Sequence, residues 1–173
     1  GKGADVYIAC SQPPLYAESG GQIGDSGRFT SKNSSGTILD CKKQGKVFIH
    51  KAIIDDGGLK TGEVVHMHVE KSKRLATAIH HSSTHLLHAA LKKVLGEHVQ
   101  QKGSLVDETK LRFDFSHSKP LSKEEIIAIE ELVNEEVLNN IEVTTQLMKL
   151  DDAIKSGAQA LFGEKYDDDV RVL

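Results

Sequence analysis

The sequence is poor in the features that mark secreted or membrane proteins. Two cysteines, Cys10 and Cys41, stand among 173 residues. Two thiols cannot build a disulfide framework or a four-cysteine zinc site, so a reducing, cytoplasmic setting is the expectation. No apolar run approaches the length needed to span a bilayer. The first residues, Gly1-Lys2-Gly3-Ala4-Asp5, hold no apolar stretch of the kind a secretory leader needs. Excess positive charge is also missing: the net charge is −3, which on its face argues against a nucleic-acid binder. With 38% hydrophobic and 27% charged residues the chain has the composition of a globular protein. Its length suits one large domain or two small ones.

What is present is unevenly distributed. Residues 1–70 hold eight basic and eight acidic residues. Residues 71–112 hold eight basic against three acidic, a net of +5, and residues 121–173 hold five against thirteen, a net of −8. The average therefore conceals a basic block suited to an anionic ligand. Nine histidines are many for this length.

The first seventy residues read as short strands: Val6 to Cys10, Arg28 to Thr30, Gly36 to Cys41, Lys46 to Ile54 and Val64 to Val69. Hairpin turns are expected at Lys32–Gly36 and at Asp55–Gly58. This pattern fits a small barrel or sandwich and not a doubly wound parallel sheet. Beyond residue 70 the period changes. A helix is expected over Ser82–Leu95, closed by Gly96, with its start unclear because Leu75 to Ile79 also suits a helix. Strands follow at Val99–Val106 and Leu111–Phe115. Ser122 and Glu125 then form a capping box for a second helix. Ile126, Ile129, Val133 and Val137 make its apolar stripe, and it runs to about Asn139. A strand within Glu142–Leu150, a short helix over Asp151–Lys155 ended by Gly157, and a strand from Val170 complete the reading. A chain that stops on a strand is expected to be cut short of a complete domain.

The densest chemical signal is His80-His81-Ser82-Ser83-Thr84-His85-Leu86-Leu87-His88. At about 100° per residue, His81, His85 and His88 fall within an arc of roughly 60°, while Leu87, Ala90, Leu91 and Val94 centre roughly 130–150° away. The apolar stripe takes the core and the histidines point elsewhere. Two histidines at i and i+4 can converge on one zinc ion, and His88 is a less natural third ligand. Ser82 stands where a zinc protease carries its glutamate, which disfavours that chemistry. Neither cysteine is recommended as a further ligand by its spacing.

Five ordered segments carry a resemblance. They are the Gly-rich stretch Leu15 to Gly27, the histidine helix His81 to Leu91, Gln101-Lys102-Gly103-Ser104-Leu105-Val106, Leu111-Arg112-Phe113-Asp114-Phe115-Ser116-His117, and Ala160-Leu161-Phe162-Gly163-Glu164-Lys165-Tyr166. Together they resemble the editing domain of alanyl-tRNA synthetases. The resemblance implies an α+β fold: a small N-terminal β-barrel over 1–70, then an editing core over 71–173 with helices packed on an antiparallel sheet. It implies hydrolysis of tRNA(Ala) mischarged with serine or glycine, by a parent enzyme that ligates alanine to tRNA(Ala) with ATP. No ATP site is expected in this segment.

By the same resemblance His81 and His85 are zinc ligands. Gln22, with Gly20 and Gly21, lies near the aminoacyl group, and Ser82 keeps a hydroxyl where many members have threonine; Gln22 and Ser82 are the candidates to bind the substrate's serine hydroxyl. Lys92, Lys93, Lys102 and Arg112, from the basic block, are expected to hold the phosphates of the tRNA acceptor end. Asp167 follows Tyr166 where glycine is frequent. The family's other two ligands come from a Cys-x-x-x-His segment shortly after the strand at Val170, so this chain is expected to hold half a zinc site and little activity. No residue is singled out as a general base. A free-standing alanyl-tRNA editing protein and a non-catalytic tRNA-binding module are the alternatives.

Overall fold

The computed structural model describes residues 1–158 and 167–172. The motif at 160–166 and Leu173 lie outside the described residues. The chain divides into two compact units: Gly1–His81 with Leu105–Arg112, and Ser82–Ser104 with Phe113–Leu173.

In the first unit five strands, β1 (Asp5–Ala9), β2 (Gly27–Thr30), β3 (Ser34–Gln44), β4 (Val47–Gly57) and β5 (His66–Val69), form one antiparallel sheet in the order β1-β4-β3-β2-β5. Alternate residues face one core of Ile8, Leu15, Phe29, Ile38, Cys41, Ala52 and Ile54. The expected barrel takes the form of an open sheet. Its order is linear, and among the described residues no ladder joins the edge strands β1 and β5, which are five and four residues long. The β3–β4 ladder shifts register twice, leaving Asp55 of β4 and Leu39 of β3 without an opposite residue, irregularities of the kind that bend a strand and raise its twist.

The hairpin expected at Lys32–Gly36 is present: β2 and β3 pair antiparallel with Thr30 opposite Ser35, and the turn sits slightly earlier, Ser31 N donating to Ser34 O at 2.7 Å. The one expected at Asp55–Gly58 is not, because Asp55 to Gly57 still belong to β4, whose next strand pairs with β2 instead. The tight turn is at Gly45-Lys46, where Gln44 lies opposite Val47 and Gly45 takes a positive φ of 61°. A II′ turn requires that of its first central residue.

The helix α1 (Lys71–Leu95) begins well before Ser82 and contributes to both units. After it come the two-stranded sheet of β6 (Gln101–Val106) and β7 (Leu111–Phe115), then α2 (Lys123–Asn139). The strands β8 (Gln146–Lys149) and β9 (Asp169–Val172) pair antiparallel, with α3 (Leu150–Lys155) between them in sequence. The class is α+β.

In the second unit Ala90, Leu91, Val99 and Ile129 are buried, with Leu87, Val94, Phe113, Phe115, Leu132 and Val133 packed against them. Ile126 and Val137, expected on the apolar stripe of α2, are exposed instead, because the buried stripe runs through the middle of the helix as Ile129, Leu132 and Val133. Among the described residues no helix is long and apolar enough to cross a membrane.

Candidate functional site

The site is built on consecutive glycines. Ser19 and Gln22 exchange backbone hydrogen bonds, Ser19 N to Gln22 O at 3.1 Å and Gln22 N to Ser19 O at 2.9 Å. Between them Gly20 and Gly21 take φ of 57° and 83°. Two successive positive φ values make a type I′ turn, which glycine adopts without steric cost. The turn is fixed to the end of β6: Val106 N donates to Gly21 O at 2.8 Å, and Ile23 N to Val106 O at 3.1 Å. Glu18 N donates to Cys41 O on β3 at 2.9 Å.

From this turn the Gln22 side chain reaches α1, where its Oε1 lies 2.6 Å from His81 Nδ1. An amide oxygen only accepts, so in this contact the ring donates from Nδ1. A second residue orients metal-ligating histidines in the same way. His85 follows one turn later on the same helix and is exposed. Ser82, between them, is exposed too. His80, absent from the expected site residues, has its Nδ1 2.8 Å from the Asp107 carbonyl. The Thr109 hydroxyl and backbone, bound to the Asp107 carboxylate, hold that carboxyl below its ordinary range.

The loop base is an ion pair. Arg74 on α1 donates Nε to Asp25 Oδ2 at 3.0 Å, a second donor of the same fork reaches that oxygen, and Nη2 also meets Pro14 O at 2.8 Å. Asp25 is 8% exposed and accepts Tyr16 N at 2.7 Å as well. A cavity of about 100 Å³ opens beside this pair, lined in part by Ser26, Lys73, Thr77 and Glu108. No sequence motif joined Arg74 to Asp25. The pairing spans 49 residues and follows only from the fold.

His88 departs from the expected polar face. It is half-buried with its ring 5.1 Å from that of Phe113. Burial, aided by the charge of Lys92, lowers its pKa. A helical wheel gives the direction of a Cα–Cβ bond and not the reach of a ring, and His88 leans toward β7. His98 Nε2 and His117 Nδ1, unremarked in the sequence, meet at 2.9 Å. Their ring centroids are 5.1 Å apart, about that distance plus a ring radius at each end, so the rings meet end to end.

The expected phosphate-binding residues differ in environment. Lys93, Lys102 and Arg112 are exposed, while Lys92 is half-buried and pairs with Glu97 at 3.7 Å. Lys102 Nζ lies 3.3 Å from Gln100 Oε1.

His81 and His85, the expected zinc ligands, stand one turn apart on α1. Among the described residues no group of three or more histidine, cysteine, aspartate or glutamate side chains is placed to hold a metal ion. Cys41 is a poor donor on chemical grounds: burial first, then Asp40 and Asp25, push its thiol up to about 11. The donors among the described residues thus do not fit a complete zinc site.

The family model described as tRNA synthetases class II (A) matches residues 1–73. The chain is 54% identical over 172 residues to the alanine–tRNA ligase of Methylococcus capsulatus, 49% over 173 to that of Sinorhizobium medicae, and 51% over 173 to that of Parvibaculum lavamentivorans. Each match covers 99% of this chain and 19–20% of the relative. The chain therefore spans about a fifth of the length of the curated relatives it matches, and over nearly its whole length it is similar to alanine–tRNA ligases.

Proposed function

We propose that this chain carries the editing function of an alanyl-tRNA synthetase, the hydrolysis of Ser-tRNA(Ala) or Gly-tRNA(Ala), in the cytoplasm. On this reading residues 1–70 are the strand-rich part and 71–173 the editing part. The observation that supports it is the Gln22–His81 hydrogen bond on the double-glycine turn. It joins the Gly-rich stretch and the histidine helix, 59 residues apart, at one point.

The division of labour follows from these groups. Gln22 spends its carbonyl on His81 and keeps its amide NH₂ to bind a serine hydroxyl. A substrate lacking that hydroxyl leaves the amide unpaired, which disfavours alanine relative to serine; this contact offers glycine nothing, so it serves the serine substrate alone. The glycines let the loop backbone approach the aminoacyl ester closely. Lys93, Lys102 and Arg112 neutralise acceptor-end phosphates. An aminoacyl ester is already activated, so a strong general base beside it is not required. His81 and His85 would be two zinc ligands. With no third donor beside them among the described residues, no step is assigned to the metal.

Deacylation of Ser-tRNA(Ala) tests the proposal. Residues 1–173 alone are expected to hydrolyse it slowly and to hold little zinc, and a version extended past residue 173 to hydrolyse it rapidly. In the longer form His81→Gln removes the activity. Full activity in the short form overturns the incomplete-site reading. Absence of hydrolysis in the longer form, with tRNA binding retained, overturns editing in favour of a binding module.

A further inference from the structure

We infer that Arg74 is a positioning residue, whose guanidinium straps both ends of the Pro14–Asp25 loop to α1 and so sets Gln22 on His81. The inference rests on the editing reading for its consequence in catalysis, but not for its geometry.

Arg74 meets the two ends of the loop at once, Pro14 through its carbonyl and Asp25 through its carboxylate. Asp25 in turn closes the loop on itself, accepting Tyr16 N at its carboxylate and donating its own N–H to Tyr16 O at 2.9 Å. Other ties of the loop run to Cys41 on β3 and to Val106 at the end of β6, whose neighbour Asp107 meets His80 on α1, while just past the loop Ser26 O accepts Glu70 N before α1 begins; Arg74 adds a side-chain tie from α1 to both ends of the loop. Arg74 stands on the helix that carries His81, seven residues earlier, about 10 Å along the axis.

The strap therefore fixes the loop in the frame of the histidine it must meet. A hydrogen bond of 2.6 Å between two side chains from distant segments depends on both backbones being held. The fork is essential. Nε and Nη2 serve Asp25 while Nη2 also serves Pro14, and a lysine ammonium cannot present donors in that planar arrangement. The ties to β3 and β6 survive loss of the strap, so the loop stays attached while Gln22 loses its register on His81.

The test is the tautomer of His81, read from long-range ¹H–¹⁵N spectra of the histidine rings. Metal-free buffer at pH 8 is used, where an ordinary imidazole is neutral, and His81→Gln assigns the signal. The unaltered chain is expected to show His81 as the Nδ1–H form. In Arg74→Lys that form gives way to a mixture dominated by Nε2–H. Ser122→Ala, a comparable loss of stability on another helix, leaves the tautomer unchanged. Arg74→Lys retaining the Nδ1–H form overturns the inference. If that variant fails to fold, Asp25→Asn removes the charge partner while keeping an acceptor, and the same two readings apply. Loss of the tautomer without any hydrolysis in the extended form would sink the editing reading and leave the strap standing.

Discussion

Burial against β7 keeps the His88 imidazole below its ordinary range, and that has a pH signature. Between its folded value and about 6.5, the unfolded chain binds the proton that the folded chain refuses. Stability from this group is whole above about pH 6.5 and drains away as pH falls toward the folded value. Urea midpoints taken from pH 7.5 to 5.5 are expected to fall more steeply for the unaltered chain than for His88→Gln. Parallel slopes would contradict the burial argument. The sequence marked His88 as part of a polar face because angular position was all it offered. It did disclose Gln22 and His81, since a glycine pair and an i, i+4 histidine pair are local signals. Arg74 was invisible as more than one cation in a basic block, because its partner lies in another segment.

Among the elements, α2 is the one whose boundaries were written in full. Ser122 Oγ accepts Glu125 N at 3.1 Å, and Glu125 Oε2 accepts Ser122 N at 2.8 Å. At the other end Asn140 takes the left-handed conformation that closes a helix. Ser122→Ala is expected to cost about 1 kcal/mol, seen as a lower denaturant midpoint at unchanged slope. No change in midpoint would mean that packing alone sets the start of α2. The start of α1 could not be read so easily. The apolar pair of residues 71–79, Leu75 and Ile79, is exposed, and their helix is anchored instead by Arg74 and by the buried Thr77. The Gly45-Lys46 turn was missed for a related reason: a single glycine among lysines is not a hairpin signal until the strands on either side are seen to pair.

For the molecule as a whole, the net charge of −3 does not argue against the proposed tRNA partner, because the +5 block over 71–112 holds exposed Lys93, Lys102 and Arg112. Binding of tRNA(Ala) is expected to weaken as salt rises, with log K linear in log salt. Lys93→Glu and Lys102→Glu should each weaken binding and reduce that slope by about one. Lys92→Ala should matter less, since Glu97 already holds that ammonium. Filter binding across a salt series checks this, and slopes unchanged in both charge-reversal variants would remove these lysines from the interface. The sheet has a further consequence, in time. β3 and β4 meet across a two-residue turn, whereas β1 must find β4 from a distance, Ala9 opposite Ile49. Closing the short loop costs less entropy, so the β3–β4 ribbon can zip while the rest is unstructured. During synthesis β1 therefore emerges first and pairs late, waiting unpartnered until the ribbon that receives it has been made.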